Sequence, residues 1–262
     1  MFRSTVIFVL VACGSDAPPA PVPVPASPPA PVAAPPVAEC DPAVPSSCAA
    51  GQVCCVACCK PGEVARCVAP GSAGGCPLPD LSMDAAMLGA SVTQDVFDAD
   101  STTCPDTLAC LGGPGVRDIV RFTTASRNGG EAPFVAGKPT EHPEKFKFSE
   151  CHDHYHSGEL IQYRLKDKAG SVVAKGGKPG FCLMDDMDWG KTGKMPTFNC
   201  GDQGISPGWA DLYGSPLDCQ WVDVTGIPEG DYTLEVEINA DRAIPESDYA
   251  NNLTAVPVRV GR

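Results

Sequence analysis

The sequence is poor in histidine, in basic charge and in long apolar runs. Four histidines occur in 262 residues, and 19 lysines and arginines face 32 aspartates and glutamates, for a formal net charge of −13. That balance disfavours nucleic acid and anionic lipid as partners; it suits cationic ligands such as primary amines, and it also serves plain solubility. The N-terminal apolar run, Thr5–Ala12, is eight residues long, too short to cross a bilayer and built like the core of a signal peptide. No stretch carries a long amphipathic helical pattern and no segment repeats, so neither a helical bundle nor a repeat array is indicated.

Cysteine and proline are abundant instead. Fifteen cysteines point to an oxidising compartment and a secreted chain. Leu10-Val11-Ala12-Cys13 resembles the lipobox of bacterial lipoproteins, which implies residues 1–13 as signal with Cys13 as a lipid anchor. The protein would then sit at the cell envelope or outer surface, touching the membrane only through that anchor. Residues 14–39 form a Pro/Ala-rich linker; from Ala17 to Ala38, ten of 22 residues are proline. Such a segment builds no core and reads as an extended stalk. Residues 40–76 hold eight cysteines, a density that suggests a disulfide-stapled mini-domain whose pairing the spacing leaves open. Zinc competes there, because Cys55 and Cys58 form a C-x-x-C, but the vicinal pairs Cys54-Cys55 and Cys58-Cys59 suit disulfides better.

Residues 77–262 have the composition of a globular domain. Tyr232, Leu234, Val236 and Ile238 alternate with polar residues, as do Val256, Val258 and Val260, and Ile161, Tyr163 and Leu165. Period two predicts half-buried strands. Short strands between Gly/Pro/Asp turns predict an all-β sandwich with long loops.

Three of the four histidines lie in Cys151-His152-Asp153-His154-Tyr155-His156. On an extended strand, side chains at i, i+2 and i+4 share a face, so the three imidazoles are expected to point together and bind one transition metal. Imidazole suits copper, zinc, nickel and iron. Three histidines with a water also make a hydrolytic zinc site, so the triplet alone leaves oxidase, hydrolase and metal carrier open.

The string ECHDHYHSGEL resembles the copper motif of the lysyl oxidase family. The likeness continues in family order through GGKPGFCL, QGISPGWADLYGSPLDCQWVDVT and PESDYANN, covering roughly Pro77 to the C-terminus. The resemblance implies a lysyl-oxidase-like β-sandwich that binds copper at His152, His154 and His156. It implies a lysine tyrosylquinone made from Lys178 and Tyr213: copper and O₂ oxidise the phenol, and the lysine amine adds to the ring. The quinone would deaminate a primary amine to an aldehyde, with H₂O₂ and ammonia released. Asp211, two residues before Tyr213, is the candidate base for the α-proton. The amine itself is left open between lysines of other surface proteins and free diamines.

The resemblance further implies disulfides Cys104–Cys151, Cys110–Cys219 and Cys182–Cys200, with two other family cysteines replaced together by Asp188 and Trp209. It also implies calcium held by Asp80, Leu81, Glu246, Asp248, Asn251 and Asn252, an all-oxygen set suited to a hard cation; a polar turn is the plainer reading. Departures concern the approach to the site. Phe146, Phe148 and Ser149 stand where animal members have two tryptophans and a histidine, Gly177 replaces a histidine, and Pro179 restricts Lys178 to extended backbone. Two other functions compete with the oxidase: a non-catalytic copper-binding surface lipoprotein that keeps the fold, and a zinc hydrolase that would leave Lys178 and Tyr213 without a role.

Overall fold

The computed structural model describes residues 39–44, 47–55, 65–68, 76–158, 160–176, 180 and 182–261. Cys13, the proline-rich stretch to Ala38, Cys58, Cys59 and Lys178 lie outside them.

The described residues are mostly strand. β1 (Val53–Cys55) and β2 (Arg66–Val68) pair within the cysteine-rich segment. β3 (Leu81–Met83) leads into helix α1 (Ala85–Ser91), and β4 (Thr93–Asp98) precedes the single helical turn α2 (Pro105–Leu108). β5 (Val116–Arg121), β6 (Thr124–Asn128) and β7 (Phe134–Gly137) follow. Two hairpins come next, β8 (Phe146–Ser149) with β9 (His154–Ser157) and β10 (Ile161–Lys166) with β11 (Val172–Gly176). β12 (Gln203–Ile205), β13 (Ala210–Tyr213) and β14 (Trp221–Asp223) are short; β15 (Gly230–Ile238) and β16 (Leu253–Val260) form the longest antiparallel pair.

The fold is all-β. A four-stranded sheet, β11-β10-β15-β16, faces two three-stranded sheets, β13-β6-β3 and β14-β5-β4. The alternation seen in the sequence decides what each face does. Ile161, Tyr163, Leu165, Leu234, Val236 and Val258 enter a shared core with Leu81, Phe122, Val120 and Val222. Residues at the intervening positions line the opposite face, where Arg164 and Lys166 meet Glu237 and the buried Glu235 across the β10–β15 register. Such core side chains contribute about 1.5–3 kcal/mol each, while the outer ion pairs contribute under about 1 kcal/mol.

Disulfides tie the loops to this frame. Cys104–Cys151, Cys110–Cys219 and Cys182–Cys200 form as the family pattern implied. In the cysteine-rich segment, Cys40–Cys54, Cys48–Cys67 and Cys55–Cys76 are bonded. That segment meets the β-domain where His142 Nε2 approaches Asp41 at 3.1 Å and Lys145 donates to the Ala43 carbonyl.

Candidate metal and cofactor site

The histidine triplet is built by the β8–β9 hairpin. Its register sets Ser149 opposite His154 and Lys147 opposite His156, so alternation puts these four side chains on one face and Phe148 with Tyr155 on the other. Phe148 and Tyr155 meet edge to face at 5.1 Å on the exposed side. His156 is buried; His152 and His154 are half-buried.

The convergence of the three rings has a different cause from the one the sequence suggested. A straight strand would hold residues 152 and 156 about 13 Å apart, too far for one ion. His152 is not on the strand. Residues 151–153 turn, with Asp153 in the left-handed region at φ 56° and its N–H donating to the Ser149 carbonyl at 2.9 Å. Aspartate tolerates that conformation better than most residues. The turn brings His152 Nδ1 to 3.2 Å from His156 Nε2, and one ring nitrogen of each of the three histidines lies within 4.8 Å of the others. Nitrogens bound at about 2 Å to a common metal stand about 3–3.5 Å apart, so the geometry suits a single transition-metal ion.

The turn is clamped from α2. Cys151 is bonded to Cys104, the residue capping that helical turn. Two residues on, the buried carboxylate of Asp106 accepts from Ser149 Oγ at 2.5 Å and Lys147 Nζ at 2.9 Å. The Ser149 hydroxyl foremost, and then the Lys147 ammonium, hold the Asp106 carboxyl below the ordinary aspartate value against the cost of burial. From the other side, the chain passes very close to β9 at Gly180. A Cβ there would come within 2.2 Å of the Ser157 carbonyl and 2.7 Å of His156 Cβ, and its φ of +137° favours glycine as well. Lys178, two positions earlier, is outside the described residues.

Tyr213 enters the same cleft from β13. Pairing with β6 sets Tyr213 opposite Thr124 and Asp211 opposite Ser126, which places Tyr213 and Asp211 on one face. The Tyr213 hydroxyl donates to the Cys182 carbonyl at 2.9 Å. Burial, and then the charge of the nearby Asp211, push its phenol well above the usual tyrosine value. The cleft, of about 380 Å³, is lined by the three histidines, Gly180, Asp211 and Tyr213, with Asp186 and Asp218 among the remaining residues. His152, His154, His156, Gly180 and residues 211–213, remote in sequence, therefore line one cavity that brings together a candidate metal-ligand set, a buried carboxylate and a phenol. Sequence reasoning gave no role to Asp106, which accepts from Ser149, or to Gln203, which bonds Tyr155 and Leu183; Gln203 opens the family-like string QGISPGWADLY, but nothing in that string marked it as a buried bridge.

The polar set proposed for a hard cation also converges, with one exception. Glu246 accepts from Leu81 N at 2.5 Å and Asn252 Nδ2 at 2.9 Å, and Asp80 accepts from Asn251 Nδ2 at 2.8 Å. The buried side-chain oxygens of Asn251 and Asn252 have no hydrogen-bond partner. Burial raises the Glu246 carboxyl above its ordinary value. Asp248 instead is exposed and accepts from Ala250 N at 2.7 Å, capping the turn.

Comparison with known proteins accords with this geometry. The family model described as Lysyl oxidase matches residues 95–260, well over half of the chain. The chain belongs to the lysyl oxidase family. It is 35% identical to human protein-lysine 6-oxidase over 194 residues, 70% of this chain and 46% of that protein. It is 40% identical to human lysyl oxidase homolog 2 over 141 residues, 53% of this chain and 18% of that protein. For zebrafish (Danio rerio) lysyl oxidase homolog 2B the identity is 39% over 139 residues, 52% of this chain and 18% of that protein. The chain thus spans about half of one relative and under a fifth of the others.

The lysyl oxidase resemblance left a bridge missing at Asp188 and Trp209. Here hydrogen bonds join the two segments: Ala210 N to Met187 O at 2.8 Å, Gly190 N to Gly208 O at 2.9 Å, and Trp189 Nε1 to Trp209 O at 3.0 Å. Asp188 itself accepts from Thr192 N and Gly193 N, closing the next turn.

Proposed function

We propose that this lysyl oxidase family member is a copper-dependent amine oxidase that converts primary amines to aldehydes, with H₂O₂ and ammonia as co-products. The observation that carries the reading is the shared cleft of His152, His154, His156, Asp211 and Tyr213. A hydrolytic zinc site would need the histidines and a water; it would give the phenol at the same cavity no task. The donor set fits copper, for which three convergent neutral imidazoles are suitable ligands. His152, His154 and His156 would hold the copper, which with O₂ would supply the oxidising power to make a lysine tyrosylquinone from Tyr213 and Lys178.

The remaining work falls to the chain itself. The Cys182 carbonyl fixes the Tyr213 hydroxyl, and the β6–β13 pairing fixes the ring. Asp211, buried on the same face, would take the α-proton of an amine bound at Tyr213. Asp186 and Asp218 line the cleft, and with a net charge of −13 they attract a cationic substrate. Lysine side chains of other surface proteins and free diamines both meet that description. The bonded cysteines suit a secreted protein, and a lipid anchor at Cys13 would place it on the cell surface. Glu246, Asp80, Asn251 and Asn252, with the Leu81 carbonyl, would hold a structural calcium, for which the two unpartnered amide oxygens are the supporting observation.

The test is amine-dependent H₂O₂ release by the copper-loaded, oxygen-exposed protein, with Tyr213→Phe as control. Release by the native chain and none by the variant supports the oxidase. Copper uptake with no peroxide from lysyl peptides or diamines supports a non-catalytic copper-binding lipoprotein.

A further inference from the structure

Gln203 is completely buried, and its carboxamide joins the two halves of the site. Its Nε2 donates to the Tyr155 carbonyl at 2.8 Å and to the Cys200 carbonyl at 3.4 Å, and its Oε1 accepts from the Leu183 N–H at 3.1 Å. Tyr155 lies between two of the histidines, and its carbonyl belongs to the peptide group that carries the His156 N–H. Leu183 N–H belongs to the peptide group whose carbonyl, that of Cys182, accepts the Tyr213 hydroxyl. A continuous chain of hydrogen bonds therefore runs from the Tyr213 phenol through the 182–183 peptide and the Gln203 side chain to the 155–156 peptide. Groups linked in this way polarise and orient one another.

Local structure shows why a glutamine occupies this position. The β7–β12 register shifts between Gln203 and Gly204, and such bulges re-aim a side chain away from its normal alternation. Gly204 N donates to the Leu183 carbonyl at 3.0 Å, so Leu183 is held on both sides. The Cys182–Cys200 disulfide closes the same loop. A buried amide that donates to one segment and accepts from the other fits both. An apolar side chain would leave the Tyr155 carbonyl and the Leu183 N–H to find other partners, and a carboxylate could not donate to Tyr155.

We infer that Gln203 is a positioning residue that couples the metal-binding hairpin to Tyr213, setting the phenol where the metal-directed oxidation can reach it. The inference rests on the copper oxidase reading for its consequence, but its structural part can be tested apart from it. In full-length protein, Gln203→Met keeps the volume and removes the hydrogen bonds. The variant is expected to bind one copper per chain and to form the quinone about 10- to 100-fold more slowly. Amide exchange gives the second readout: copper should slow exchange at Leu183 N–H in the native protein and leave it unchanged in the variant. If Gln203→Met does not fold, Gln203→Leu likewise removes both the donor to Tyr155 and the acceptor for Leu183, and the copper-linked protection should again be lost. A native rate of quinone formation in a folded variant, or native protein in which copper leaves Leu183 unaffected, overturns the inference. Should the native protein form no quinone, the oxidase reading fails, and the exchange data alone decide whether Gln203 couples the two halves.

Discussion

The carboxylate of Asp106 accepts a 2.5 Å hydrogen bond from the hydroxyl of Ser149, the residue directly across the hairpin from His154. Through this bond and the one from Lys147, the helical turn α2 holds β8, the strand paired with the one that carries His154 and His156. Asp106→Ala leaves the buried Ser149 hydroxyl without its acceptor, a loss of about 1–3 kcal/mol. A lower denaturation midpoint and weaker copper binding are expected together, measured by denaturant unfolding and copper titration. The carboxyl is held below its ordinary value when folded, so its contribution is complete above the unfolded value near pH 4 and is lost as pH falls through the folded one. The stability difference between the native protein and Asp106→Ala should narrow below about pH 4. A constant difference would show that the charge of Asp106 is not what clamps the hairpin.

Glu246 carries a second prediction. Its carboxyl is raised by burial, and a bound cation would remove that penalty. Calcium should therefore raise the melting temperature of the chelator-treated protein. At a concentration of 100 times the dissociation constant the stabilisation is about 2.7 kcal/mol. Glu246→Gln should abolish the calcium-dependent part. Equal melting curves with and without calcium would leave the set as a hydrogen-bonded turn.

Tyr163 is fully buried, with its hydroxyl donating to Gln220 Oε1 at 3.3 Å. Burial raises its phenol above the usual value near 10. A phenol whose folded value is raised keeps its proton when the unfolded chain has lost it. Stability is intact below about pH 10 and falls as pH rises from there toward the folded value, by up to about 1.4 kcal/mol per pH unit for this group. Unfolding midpoints between pH 9 and 11 should fall less steeply in Tyr163→Phe than in the native protein. Identical slopes would contradict the assignment.

Much of the fold was legible, for reasons that particular residues make plain. Ile161–Leu165, Tyr232–Ile238 and Val256–Val260 turn their apolar side chains to one face, so period two survives in the sequence and predicts β10, β15 and β16. Leu81–Met83 and Gln203–Ile205 are three-residue strands, too short to carry a period. His152 shows a different limit. Spacing grouped it with His154 and His156, but the extended strand that justified the grouping would have separated the rings; the turn at Asp153 brings them together. Tyr213 and Asp211 were marked by resemblance and sequence proximity, and the β6–β13 pairing supplies a physical reason. Gln203 and Asp106 act through contacts 48 and 41 residues away; Gln203 stands in a family-like string, but the string does not show that its amide is buried or which segments it bridges.

The most direct measurement is mass spectrometry of protein loaded with copper and exposed to oxygen, then digested. A single crosslinked species containing Lys178 and Tyr213, with quinone absorbance, is the predicted result, and His154→Ala should prevent its formation. Two unmodified peptides, one with Lys178 and one with Tyr213, from protein carrying a full complement of copper would contradict the central claim.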